Sequence, residues 1–331
     1  MNEDADERRL YRPIETLFEK QEYRVLSHRK KKKEERAHSG FPIEVNGETM
    51  IVDVAAFKWL DDSQIEAIAV ECKLGKRASK AGSALYQATA YQVLFPKVYV
   101  AAEAPRKELN HVEKSLHQLG LGYIEVDGEI ATEIFLPKHE CNVRYDSAEF
   151  DRQPRSKIAA FLAFLEVFSG ETQFGREKKM GEVFLMGKVY KSCNFLLKTE
   201  NQGASMGLNI ENKEPVKKFL SSVDIRGLHS LISNLSPEYH LVVKKFVGKK
   251  VHGITEERAL IDKPVSEITL PILEDYKSQI LKHLSVKDKC VDFQILRHVD
   301  LQIVSRGSII TEVKTMKEKI EPLYNLLVKH I

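Results

Sequence analysis

Two apolar runs, each carrying an acid where a central strand is expected to be apolar, constrain this chain more than any other feature. Thr49 to Phe57 reads TMIVDVAAF and Ile65 to Lys73 reads IEAIAVECK; the turn-like Leu60-Asp61-Asp62-Ser63 lies between them. Runs rich in Ile, Val and Ala on either side of a turn predict a β-hairpin. Alternate side chains on a strand share a face, so Ile51, Asp53, Ala55 and Phe57 point one way. On the second strand Ile65, Ala67, Ala69, Glu71 and Lys73 share a face, opposite Ile68, Val70 and Cys72. An acid buried in such a strand is costly unless it is paired or binds a cation. The alanines leave room beside Asp53 and Glu71, and Lys73 projects to the same side as Glu71.

Around the hairpin the spacing predicts a mixed α/β domain. Leu10, Ile14, Leu17 and Phe18 recur at helical spacing within Glu7 to Tyr23, with Pro13 in the first turn, where its missing N–H costs little. Tyr23 to Ser27 is expected as a short strand, and Arg29 to Arg36 as a charged loop. After the hairpin come a helix from Ser83 to Phe95, stopped by Pro96, a strand at Lys97 to Ala102, a helix at Arg106 to Leu119 and a strand at Leu121 to Val126. Helix, strand, helix, strand in that order predicts parallel pairing among the later strands.

We expect a first domain over residues 1–136, a polar linker over 137–154 and an α+β domain over 155–331. In the last of these, strands are expected at Val291 to Leu296 and Leu301 to Val304, and a terminal helix at Glu318 to Ile331. The second half offers no motif that translates into chemistry.

Composition narrows the class. With 331 residues, 43% hydrophobic and 30% charged, the chain fits two globular domains rather than a fibrous or disordered protein. No apolar run reaches the roughly 18 residues of a membrane helix, so no membrane partner is expected. The first residues, MNEDADERRL, lack the apolar stretch of a secretory signal, which points to the cytoplasm. Cys72, Cys141, Cys193 and Cys290 lie far apart, without the spacing of a zinc site or a disulfide scaffold.

Two carboxylates and an ammonium converging at a hairpin end suit metal-assisted phosphodiester hydrolysis. Hard oxygen ligands hold Mg²⁺, which keeps several waters and takes further ligands from a substrate phosphate. A lysine beside the ion can orient a water or neutralise charge on the phosphorus oxygens.

The order Asp53, Glu71-Cys72-Lys73, then a helix with Gln87-Ala88-Thr89-Ala90-Tyr91, resembles the PD-(D/E)XK nuclease superfamily. The QxxxY helix is similar to that of its RecB-type members. The resemblance spans roughly residues 8–130. It implies a restriction-endonuclease-like fold, a mixed central sheet flanked by helices, and Mg²⁺-dependent cleavage of DNA, with Mn²⁺ able to substitute.

By the same resemblance Asp53 and Glu71 bind the metal, Lys73 assists the nucleophile and Gln87 organises the site, supported by Tyr91. Glu15 and, less well, Glu19 are candidates for a further acid from the first helix. Lys76, Arg77 and Lys80, directly after the Glu-x-Lys strand, stand where a backbone phosphate would approach. Val52 takes the place of the family's proline, and Cys72 is expected on the opposite side of the sheet. A homodimer would suit two-strand cleavage. The alternative is a catalytically silent nucleic-acid-binding or assembly module that keeps the fold. A second Glu-x-Lys, Glu312-Val313-Lys314 after Asp300, lacks the downstream helix and strand. Trp59, at the hairpin tip, is expected to be partly exposed and could stack on a base.

Overall fold

The computed structural model describes residues 7–29, 38–39, 41–45, 48–109, 111–138, 154–168, 173–174, 184–200, 203–247, 256–286, 289–300 and 305–331. The protein is mixed α/β and divides into two compact units. The first comprises residues 1–162, 174–183 and 302–306; the second comprises 163–173, 184–301 and 307–331. Most of the expected linker, the Lys30 to Lys33 run and the strand expected at Leu301 to Val304 lie outside the described residues.

In the first unit a short 3₁₀ turn at Glu7–Leu10 leads into α1 (Tyr11–Glu19), and Pro13 does occupy the first helical turn. The strands are β1 (Arg24–Arg29), β2 (His38–Ser39), β3 (Phe41–Val45), β4 (Glu48–Val52), β5 (Val54–Trp59), β6 (Ile65–Lys73), β7 (Lys97–Ala102), β8 (Gly122–Asp127) and β9 (Ile130–Phe135). They form a seven-stranded sheet in the order β2-β1-β5-β6-β7-β8-β9, with β3 and β4 paired separately. The hairpin β5–β6 is antiparallel, whereas β6–β7 and β7–β8 are parallel, as the helix-strand alternation predicts. Between β6 and β7 run α2 (Ala78–Ser83) and α3 (Leu85–Tyr91); α4 (His111–Gln118) joins β7 to β8.

Alternation divides the sheet into two faces. Val54, Ala56, Ile68, Val70, Cys72, Tyr99, Ala101, Ile124 and Val126 pack with Leu10, Tyr11, Ile14 and Phe18 of the N-terminal helical segment. On the other side Phe57 meets Phe41 at 4.9 Å, Phe161 at 5.9 Å and Phe95 at 6.2 Å between ring centroids. Phe161 lies on α5 (Pro154–Val167). Each face is buried over the central strands because β5, β6, β7 and β8 each supply apolar residues to both, the signature of a sheet covered on two sides.

The expected strand from Thr49 to Phe57 is in fact two. At Asp53 the chain bends out of the β3–β4 pair and into the main sheet. Register pairs Val54 with Val70 and Ala55 with Ala69, so the bend falls one step beyond the last ladder pair, beside Glu71.

The two residues of β10 (Gln173–Phe174) fall on either side of the unit boundary; the second unit contains β11 (Phe184–Tyr190), β12 (Cys193–Glu200), β13 (Gly203–Ile210), α6 (Lys213–Ser222), α7 (Ile225–Ser233), β14 (Tyr239–Val247), β15 (Glu256–Pro264), α8 (Leu270–Ser285), β16 (Lys289–Asp300) and all but the first residue of α9 (Arg306–His330). Its sheet runs β10-β11-β12-β13-β16-β14-β15, and every pairing from β11 onward is antiparallel. Phe293 packs on Phe219 at 5.8 Å and Phe195 on Tyr324 at 5.2 Å, so helices cover one face.

The second Glu-x-Lys does not follow a hairpin. Glu312, Val313 and Lys314 belong to α9, where Val313 is buried and Glu312 pairs with Arg297 at 2.7 Å. Residues two apart on a helix do not face one another, so this triplet cannot reproduce the strand geometry of Glu71 and Lys73.

Gly207 on β13 is required by close approach. A Cβ there would stand 1.9 Å from the Ile295 carbonyl oxygen of β16. Gly207→Ala must force the strands apart, at a cost of about 1–3 kcal/mol typical of overpacking. Thermal denaturation will show a lowered midpoint; an unchanged midpoint would mean that the two backbones separate freely.

Candidate active site

The site is assembled from four places in the chain: the bend at Asp53, the end of β6, helix α3 and the N-terminal helical segment. Glu71 lies on β6, a strand between β5 and β7, and is fully buried. Its Oε2 accepts the Tyr91 hydroxyl at 2.7 Å. Its Oε1 is paired with the Lys73 ammonium at 2.9 Å.

Asp53 is held by two donors, one on each oxygen. The Tyr11 hydroxyl donates to Oδ1 at 2.8 Å and the Cys72 backbone N–H to Oδ2 at 2.9 Å. The bend explains the second bond: by leaving the ladder, the chain would orphan the Cys72 N–H, and the carboxylate takes it instead. The Cys72 side chain faces the α1 side of the sheet among Val54, Ile68 and Val70, away from Glu71 as expected.

Lys73 reaches two carboxylates, Glu71 at 2.9 Å and Glu7 at 3.3 Å. Glu7 is one helical turn before Tyr11, so a single helical segment delivers both side chains. Arg9 of the same segment pairs with Glu103, at the end of β7, at 2.6 Å, and Glu103 also accepts the Gly75 N–H at 3.0 Å. The N-terminal segment is thereby tied to the loop that follows Lys73.

These groups shift one another's acidity. Burial pushes the Glu71 carboxyl up to about 7, and the charge of Asp53 adds to the rise, against the opposing pull of Lys73 and Tyr91. Burial also raises Asp53 above the usual carboxylate range, despite its two donors and Lys73. At Lys73 burial works against the charge, but Glu71 and Glu7 outweigh it and the pKa is raised, so the amine stays an ammonium. Two acids that resist ionisation together beside a retained cation describe a pocket short of positive charge.

Not every residue expected at the site reaches it. Glu15 is buried and accepts from the Ser27 hydroxyl, with Arg12 at 3.4 Å. Glu19 is exposed, 3.8 Å from Arg12. The acid from the N-terminal segment that touches the constellation is Glu7, at a position where the sequence shows only another charged residue among several. Tyr11 was missed for a different reason: at helical spacing it reads as part of the apolar stripe.

Gln87 lies one turn before Tyr91 on α3, half-buried, and makes no side-chain hydrogen bond to the described residues. Lys76 and Arg77 are exposed between β6 and α2; Lys80 lies on α2, with its side chain outside the described residues. Trp59 is partly buried at the end of β5. Six residues of extended chain, roughly 20 Å at about 3.3 Å each, carry it away from Asp53, and its buried indole nitrogen has no hydrogen-bond partner among the described residues.

Among the described residues no set of three or more His, Cys, Asp or Glu side chains is arranged to hold a metal ion. The donor set here is two carboxylates, Asp53 and Glu71, with Lys73 at 2.9 Å from Glu71. That suits Mg²⁺, which binds through one or two carboxylates and completes its shell with water and phosphate oxygens.

No protein-family model and no curated protein matches the chain. Among the described residues no helix is long and apolar enough to cross a membrane.

Proposed function

We propose that this chain is a Mg²⁺-dependent nuclease of the restriction-endonuclease-like fold that hydrolyses phosphodiester bonds in DNA. The observation that supports it best is Glu71. A fully buried carboxylate beside a second, partly buried acid, Asp53, with the one Lys73 ammonium at 2.9 Å shared with Glu7, is costly in a protein that makes no use of a further cation there.

In this reading Asp53 and Glu71 hold the ion. Bound there, a divalent cation supplies Lewis-acid polarisation of the phosphate and neutralises its developing charge. Lys73, kept protonated by Glu71 and Glu7, acts as an orienting and charge-stabilising group on the attacking water and phosphorus oxygens rather than as a proton acceptor. Tyr91 fixes one oxygen of Glu71, and the other, paired with Lys73, would be shared with the ion. Lys76 and Arg77, exposed just beyond Lys73, receive the phosphate backbone. A homodimer would place two such sites on opposite strands.

The test is cleavage of a panel of linear, nicked and single-stranded DNA, with RNA alongside, in Mg²⁺ and in EDTA. Cleavage of DNA that stops in EDTA is expected. Cleavage that persists in EDTA would remove the metal from the mechanism. A silent nucleic-acid-binding module predicts instead no cleavage and, by calorimetry, no Mg²⁺ or Mn²⁺ binding that depends on Asp53.

A further inference from the structure

We propose that Tyr11 is a positioning residue, whose hydroxyl fixes the orientation in which Asp53 presents its carboxylate to a divalent cation. The inference rests on the nuclease reading of the site and adds to it a residue from outside the Asp, Glu-x-Lys and QxxxY positions.

The need for such a residue follows from the bend. Glu71 pairs with Val100 of β7, and the residue before it, Val70, with Val54 of β5, so its backbone is held by ladder contacts. Asp53 lies between strands of two different sheets, and rotation of its carboxylate is restrained by the donors that meet its two oxygens. The Cys72 N–H holds Oδ2, and a single donor leaves the group free to swing about that bond. The Tyr11 hydroxyl on Oδ1 removes this freedom.

Its own position is set by packing. The Tyr11 ring is 3% exposed, in the core between α1 and the sheet, among Leu10, Ile14, Phe18, Val54 and Cys72. A side chain locked by its neighbours can hold a ligand group within the narrow tolerance a metal site demands. Tyr91 does the same for Glu71 from α3. The two acids are thus each oriented by a buried tyrosine delivered by a different helical segment.

A control exists on the same sheet. The Tyr23 hydroxyl donates to Glu66, which also receives Lys97, and Glu66 lies near the opposite end of β6, five residues from Glu71. Tyr23→Phe therefore removes the same chemical contact, a buried tyrosine on a carboxylate, away from the proposed cation.

Mn²⁺ alone is titrated calorimetrically into wild type, Tyr11→Phe and Tyr23→Phe. We expect Tyr11→Phe to bind about 10–100-fold more weakly, the usual cost of removing a hydrogen-bond partner from a metal ligand, and Tyr23→Phe to bind within about twofold of wild type. With DNA, Tyr11→Phe is expected to lower kcat with KM unchanged. Equal weakening in both variants, or Tyr11→Phe binding like wild type, would overturn the proposal.

A second arm needs no variant to fold: in wild type labelled with ¹³Cζ-tyrosine, Mg²⁺ should move the Tyr11 resonance and leave Tyr23 in place. Two unmoved resonances with bound metal would equally overturn it. If wild type shows no Asp53-dependent binding of Mn²⁺, the nuclease reading has failed and this inference falls with it, an outcome distinct from those above.

Discussion

Asp53→Asn will reduce DNA cleavage by at least about 10³-fold and abolish Mg²⁺ binding in the micromolar to low millimolar range. The substitution keeps the shape of the side chain but removes its charge, halving the anionic donor set. A 10³-fold loss corresponds to about 4 kcal/mol of transition-state stabilisation, within the several kcal/mol assigned to a catalytic metal ion. The fold will also be affected, because an amide cannot accept from both Tyr11 and the Cys72 N–H. One donor loses its acceptor at a cost of about 1–3 kcal/mol, so turnover must be compared at a temperature at which circular dichroism shows both proteins folded. If folded Asp53→Asn cleaves and binds Mg²⁺ as wild type does, the site has been placed wrongly.

Glu71→Gln will make the protein more stable at pH 8 in EDTA, and no more stable at pH 4.5. Folding raises the Glu71 carboxyl from its ordinary value to about 7, through burial and the Asp53 charge. A carboxyl raised in this way favours the folded state while protonated. That contribution is complete below the unfolded pKa, near 4.5, and is lost as pH rises through 7.

A glutamine is neutral throughout and escapes the loss. With about 1.4 kcal/mol per pKa unit the advantage at pH 8 is on the order of 3 kcal/mol. Unfolding curves across pH 4.5–8 measure it. Mg²⁺ should stabilise wild type more at pH 8 than at pH 5.5, because only the ionised pair attracts it, and should leave Glu71→Gln unmoved. A wild-type-minus-variant difference that stays flat with pH would show that Glu71 is already ionised in the folded protein, without help from a cation.

Much of the site could be read along the chain because it obeys the periodicity of strands and helices. An acid at every second position from alanine on a β-branched strand, followed two residues later by lysine, shares a face with that lysine whatever the rest of the fold does. A glutamine and a tyrosine four apart share a helix face for the same reason. The structure accordingly brings Glu71, Lys73 and Tyr91 into contact. The contributions of Glu7 and Tyr11 could not be read this way. They lie 66 and 42 residues from their partners Lys73 and Asp53, and nothing local distinguishes Glu7 from Glu15 and Glu19, or Tyr11 from its apolar neighbours. The bend at Asp53 was equally hidden, since Val52 and Val54 on either side read as an uninterrupted strand.

The amino-acid order alone settled which strands are buried on both faces, the hairpin that joins β5 to β6, the parallel pairing beyond it, and that Glu71 and Lys73 share a face of β6. These depend on backbone periodicity and turn chemistry, which act over a few residues. Tertiary packing decided which acid of the N-terminal segment approaches Lys73, that a tyrosine of the core holds Asp53, and that Glu312 and Lys314 stand on a helix. Those outcomes turn on which distant surfaces meet, and on charges whose acidity is set by burial and by neighbours far away in the chain.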